Sequence, residues 1–171
     1  MIRNYKFEDR TTLCDFFAIV LEEHKDYISH GELQMGIATD PGILAADYKQ
    51  KWLQYLDRQT ADPSNTVLLY EDNGILTGFI IFGVMEDGAE PYGVIFDMAV
   101  APDARGKRIG EQLLEKAVEN FRERGIRNCY LESGVNNHSA HHFFQKHGFA
   151  QVSDTVSYTH LRAHETRSNL V

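Results

Sequence analysis

The chain is short of positive charge. Its 17 lysines and arginines face 25 aspartates and glutamates, a formal net charge of −8. A nucleic-acid binder draws its affinity mainly from cations set against phosphates, so nucleic acid is excluded as the main partner. Cysteine is scarce too. Cys14 and Cys129 lie far apart in apolar neighbourhoods, outside any CxxC or Cys/His ligand spacing. A disulfide framework is therefore excluded, and free core thiols are expected. Apolar runs such as Phe79 to Val84 are far shorter than a membrane span, so no membrane partner is expected. Met1 to Lys6 has no apolar run behind its charges and does not read as a secretory leader, which makes the cytoplasm the default expectation. The Walker pattern GxxxxGKS/T, the dinucleotide pattern GxGxxG and the zinc-protease pattern HExxH are all missing.

What remains is the composition of a folded domain. The 43% of hydrophobic and 25% of charged residues rule out a disordered chain, and 171 residues suffice for one domain with its own core. Periodicity predicts a strand over 2–5, then a helix capped by Asp9 with Leu13, Phe16, Phe17, Val20 and Leu21 on its apolar stripe. Residues 27–43 read as a loop with room for a short helix. A second helix is expected from Leu44 to Leu56, and Asp62 to Asn65 ends it. Strands follow at 66–70 and 78–82 around the turn Asn73-Gly74, then at 92–100 after an acidic loop. A long helix carries Ile109, Leu113, Leu114, Ala117, Val118 and Phe121 on one stripe, and Gly125 stops it. A strand at 127–131, a helix at 137–147 with Gly148 as its stop and a last strand from Phe149 complete the order. This is an α/β sandwich with a mainly antiparallel front half, and 92–131 forms a right-handed parallel crossover.

The segment from Val100 to Gly110 carries the strongest chemistry. It leaves a strand and opens a long helix, whose first amides have no internal partners and whose dipole adds positive charge there. Gly106 and Gly110 let backbone approach a bulky anion, and Arg105, Lys107 and Arg108 surround the turn with cations. A pyrophosphate is the natural ligand. The alternative is a solvated basic loop.

The run Asp97-Met98-Ala99-Val100-Ala101-Pro102, with Arg105 to Gly110 and Leu113-Leu114, resembles motif A of the GNAT family of N-acetyltransferases. That family's loop follows Arg/Gln-x-x-Gly-x-Gly/Ala; this chain matches at Arg105 and Gly110 and departs at Arg108, where glycine is expected. Asn136 to Phe149 resembles motif B, N-x-x-x-A-x-x-F-Y-x-K-x-G-F, with Phe144 in place of the tyrosine. The resemblance implies a GNAT-like mixed, mostly antiparallel twisted sheet flanked by helices, in which a splayed parallel strand pair forms the acyl-CoA cleft. It implies acetyl-CoA or another short acyl-CoA as co-substrate. Met98, Ala99, Val100, Arg105, Gly106, Lys107, Arg108, Ile109, Gly110, Asn136, Ala140 and Phe143 would contact it. The acceptor would be an amine of a small molecule or a protein, and the chain a monomer or homodimer.

Acyl transfer to an amine needs a base, because such an amine has a pKa of roughly 10. Asp97, set among apolar strand residues and partly desolvated there, is the first candidate, and Glu90 the second. The developing oxyanion needs donors, and the amides near Val100 are expected to supply them. Phe144 cannot act as the general acid, so either the thiolate leaves unaided or Ser139 or His138 substitutes. A non-catalytic acyl-CoA-binding module is the competing reading. His138 and His142 are neighbours on one helix face, yet no carboxylate motif accompanies them, and no metal site is expected. Tyr48, Trp52 and Tyr55 read as packing residues of the second helix, with acceptor contact as the lesser role.

Residues 156–171 show neither strand alternation nor a helical stripe. They resemble a translated sequencing-adapter read-through. On that reading residues 1–155 are the domain, cut short in its last strand, and 156–171 are not native.

Overall fold

A computed structural model describes residues 1–40 and 42–154. The expectation for 156–171 lies outside the described residues. The chain divides into two compact units, Met1–His138 and the part from Ser139 onward.

The first unit is built on a five-stranded sheet. Its strands are β1 (Ile2–Asn4), β4 (Asn65–Asp72), β5 (Ile75–Met85), β6 (Tyr92–Val100) and β7 (Cys129–Leu131), in that spatial order. The first four pair antiparallel, and β7 joins β6 in parallel. The fold is therefore mixed α/β with a mostly antiparallel sheet. Three helices of this unit, α1 (Arg10–Glu23), α3 (Tyr48–Ala61) and α4 (Ile109–Glu123), cover the sheet, and a short α2 (His30–Gln34) precedes a small hairpin of β2 (Ala38–Asp40) and β3 (Ile43–Leu44).

The central strand β5 is buried on both faces, which is why it reads as an unbroken apolar run instead of alternating. Phe79 and Ile81 face α1 and α3, in one cluster with Leu13, Phe17, Trp52 and Leu56. Phe82 faces α4, where its ring meets Phe121 edge-on at 5.5 Å. Two glycines let α4 lie close to the sheet. A Cβ on Gly78 would come within 3.0 Å of Ile109, and one on Gly93 within 2.8 Å of the Phe121 ring.

Helix α4 ends as its sequence predicts. Gly125 takes φ +70°, its amide bonds to Arg122 O at 3.0 Å, and the Ile126 amide bonds to Phe121 O at 2.9 Å.

Several expectations need correction. The second helix starts at Tyr48, not Leu44, because Leu44 pairs with Ala38 in the β2–β3 hairpin. The loop 27–43 contains that hairpin and α2, whose start is fixed by Ser29 and Glu32 in a reciprocal cap. The strand at 127–131 shortens to Cys129–Leu131.

In the second unit, the helix α5 (His138–Lys146) closes with Gly148 at φ +90°. The expected last strand from Phe149 is not formed over 149–152. The Phe149 amide is used to cap α5, on Phe144 O at 3.1 Å, and its ring packs on Phe144 at 5.4 Å. A residue folded back on its helix in this way is lost to a ladder.

Gly93→Ala is expected to destabilise the protein by about 1–3 kcal/mol, because the new methyl meets an aromatic ring in a filled layer. Urea unfolding of the two proteins measures it.

Candidate functional site

The register of β6 changes partway along it. Val94 and Ile95 face Gly83 and Phe82 on β5, whereas Asp97 faces Ile81, so Phe96 is an extra residue, a β-bulge. Pairing with β7 covers only Gly93, Val94 and Ile95 and stops one residue before the bulge. From Phe96 to Val100 the edge of β6 that faced β7 has no strand beside it among the described residues.

The bulge also inverts the direction of every later group. The Gly93 amide bonds to Asn128 O at 2.8 Å, on the β7 side. The Ala101 amide, eight residues on and therefore of the same parity, bonds instead to Thr77 O at 2.9 Å, on the β5 side. The phase has slipped by one. Strand alternation then directs the amides of Met98 and Val100 away from β5, toward the edge that β7 has left.

The same slip moves side chains between faces. Gly93 lies against Phe121 of α4, and Ile95 pairs with Phe82 on that same face. Without the bulge Asp97 would follow them. With it, Asp97 lies opposite Ile81 on the α1/α3 face, where the Trp52 indole N–H donates to its Oδ2 at 3.3 Å.

Asp97 retains some solvent access as a residue, but its carboxyl is set among protein atoms. Burial pushes its pKa up to about 7, and the charge of Glu32 on α2 adds to the rise. The bond from Trp52 and the Met98 amide pull the other way. Tyr55, one helical turn after Trp52, is buried, and its hydroxyl is held well above the usual phenol range by that burial and by the charges of Asp97 and Glu32. Behind this group, Glu132 accepts the Gly31 amide at 2.8 Å and ties the end of β7 to the start of α2.

After β6 the chain makes a short 3-10 turn at Pro102–Ala104 and enters the expected anion turn. Gly106 takes φ +80°, and a Cβ placed there would meet nothing within 4 Å. Arg105 and Lys107 are exposed. Arg108 sits at φ +60°, the left-handed region that favours glycine, and this explains the family's preference at that position. Its guanidinium turns outward onto Glu111 through two 2.7 Å bonds. The basic turn thus presents fewer unpaired cations than its sequence suggests. Ile109 is buried under Gly78, so only its backbone faces the turn, and Gly110 follows in the first turn of α4.

Glu90 is exposed in the loop that precedes β6, whereas Asp97 lies well inside that strand, beyond the bulge. Asn136 is exposed in the segment after β7. Ser139, Ala140 and Phe143 lie on α5, in the second unit. The sequence reading missed Glu32 and the link between Trp52 and Asp97. A signal existed for the second: a buried indole N–H needs an acceptor, and Asp97 is the lone carboxylate in an apolar strand.

A sheet split between its parallel strands, with a glycine turn at the head of the crossover helix, defines a GNAT-like mixed α/β fold. The chain belongs to the acetyltransferase (GNAT) family, whose profile matches residues 31–149. A mycothiol acetyltransferase of Propionibacterium freudenreichii is 27% identical over 146 residues, 84% of this chain and 43% of that protein. The chain thus spans less than half the length of that relative. A Bacillus subtilis protein, provisionally named a ribosomal protein bS18 alanine N-acetyltransferase, is 30% identical over 108 residues, 62% of this chain and 69% of its own. A solved structure from Clostridium acetobutylicum, described as a predicted acetyltransferase with acetyl-CoA, superposes with a TM-score of 0.66 at 18% identity, covering 96% of this chain and 98% of that one. No helix among the described residues is long and apolar enough to cross a membrane.

The raised pKa of Asp97 makes stability depend on pH. The folded state holds this proton more tightly than the unfolded chain, whose aspartates titrate near 3.9. The contribution is therefore full below about pH 4 and declines as pH rises toward 7. Asp97→Asn cannot ionise. The wild type is expected to lose more stability than Asp97→Asn between pH 4 and pH 8, as read from urea midpoints.

Proposed function

We propose that the protein transfers an acetyl group from acetyl-CoA to a primary amine of a small molecule or a protein, by direct attack in a ternary complex. The observation that carries this reading is the β6 edge beyond Ile95, where a desolvated carboxylate at Asp97 is followed by two outward-directed amides, those of Met98 and Val100. When bound, acetyl-CoA supplies a thioester carbonyl that an amine can attack.

The chain's own residues suit both partners. Met98, Ala99 and Val100 would offer strand backbone to an extended amide-bearing arm, and the Val100 amide would stabilise an oxyanion. Arg105, Gly106, Lys107, Ile109 and Gly110 would receive the phosphates at the head of α4, with Arg108 held apart by Glu111. Asn136, Ala140 and Phe143 enter as cofactor contacts, and Ser139 as a general acid, on the family resemblance alone. On the acceptor side Asp97 and Glu32 make a negative, partly desolvated setting that favours a cationic amine. Asp97 takes the proton that the amine must lose, and a carboxylate raised to about 7 is a better base than a free one. The relatives' names differ, a mycothiol acetyltransferase in one and a ribosomal protein alanine N-acetyltransferase in the other, and fold alone does not choose an acceptor.

Phe144 favours a second reading, an acyl-CoA-binding module without turnover. It replaces the family's tyrosine, and its ring is engaged with Phe149. Thiol release from acetyl-CoA with a panel of amines separates the two. The transferase reading expects release with at least one amine. Tight CoA binding with no release from any amine establishes the module instead. Asp97→Asn is expected to lower kcat by about 100-fold or more while CoA affinity is kept. Unchanged turnover removes Asp97 from the mechanism.

A further inference from the structure

We propose that Trp52 is the positioning residue for the base: its indole N–H holds one oxygen of the Asp97 carboxylate, so that the other oxygen is presented to the acceptor amine. This rests on the acetyl-transfer reading above and adds a residue to it.

The indole is held from several sides. Trp52 is fully buried, stacked on Phe17 at 4.4 Å with the planes 13° apart, and met edge-on by Phe79 at 6.1 Å. A ring gripped in this way cannot swing its N–H elsewhere, so the donor's direction is set by the core. The bond it makes, Nε1 to Asp97 Oδ2, is the one hydrogen bond among the described residues that the Asp97 side chain makes to another side chain; the Met98 amide is its backbone donor. Oδ1 has no side-chain partner among the described residues.

The chemistry of the pair is one-sided. Indole N–H donates only and does not titrate. It therefore favours the ionised carboxylate at every pH, whereas a hydroxyl partner could reverse its role. That matters here because the other influences oppose ionisation. The titratable and charged groups facing Asp97 are Glu32 from α2 and the Tyr55 hydroxyl from α3, and Arg58 acts on Tyr55 from the same helix. Burial and Glu32 push the carboxyl toward its neutral form; the indole and the Met98 amide restrain them. A base must be ionised when the amine arrives and must point at it, and Trp52 serves both needs.

Trp52 is the only tryptophan in the chain, so its indole signal can be followed without interference from another. The test is a pH titration of the indole N–H resonance in wild type and in Asp97→Asn, joined to kinetics of Trp52→Phe. The wild-type resonance is expected to titrate with an inflection near 7, and the Asp97→Asn resonance to stay flat. Trp52→Phe keeps an aromatic ring and loses the donor. Its kcat is expected to fall about tenfold, with acceptor KM and CoA affinity little changed. The inflection of its kcat profile should move to higher pH, because a donor to the charged form has been removed. In an Asp97→Asn background the same change should cost nothing further.

A wild-type indole that does not titrate overturns the coupling, and this readout needs no turnover and no folded Trp52 variant. A Trp52→Phe loss that is equal at all pH values, or equally large in Asp97→Asn, overturns the positioning role and leaves a packing defect. If Asp97→Asn retains full turnover while the indole still titrates, the base assignment fails and the proposal falls with it, although the contact is real.

Discussion

One extra residue in one strand organises this molecule. The bulge at Phe96 ends the pairing of β6 with β7 after Ile95, and it turns the amides of Met98 and Val100 toward the vacated edge. It also carries Asp97 from the α4 face to the α1/α3 face. These are one event, because side chains and amides share the same two-residue period and a slip of one inverts both. An open edge would ordinarily be a liability for self-association. Here it lies beside Asp97 and before the turn at Gly106, and on the proposed function it would receive a strand-like ligand arm.

The two ends of the site are electrically opposite. At the head of α4, backbone amides and the exposed Arg105 and Lys107 favour an anion, and Gly106 removes the Cβ that would crowd it. Around Asp97, burial and Glu32 raise the cost of negative charge, so a cation arriving there relieves an existing strain. The net charge of −8 is thus divided unevenly by the fold, with a basic turn at Arg105 and Lys107 and an acidic setting around Asp97 and Glu32. Arg108 shows the division at one residue: its backbone takes the left-handed angle that the turn demands, and its side chain is drawn away to Glu111.

Much of this was legible beforehand because it is local. The stripe from Ile109 to Phe121, its stop at Gly125 and the turn at Gly106 depend on residues a few positions apart, and the structure has them there. The end of α5 was legible as far as Gly148, but the strand expected at Phe149 was not formed, since the helix cap takes its amide. The start of α3 was misplaced because Leu44 reads equally well as a helix or strand residue, and only its pairing with Ala38 decides. The bulge left no local mark, for Phe96 is as good a strand residue as its neighbours.

By itself the sequence determined the fold class, the glycine turn before α4 and the carboxylate in β6, since spacing, glycine positions and composition act over short range. Tertiary structure alone decided which face Asp97 occupies and that the indole of Trp52 meets it. Asp97 and Trp52 are 45 residues apart, and their contact depends on the packing of α3 against the sheet and on a register slip that no local pattern encodes.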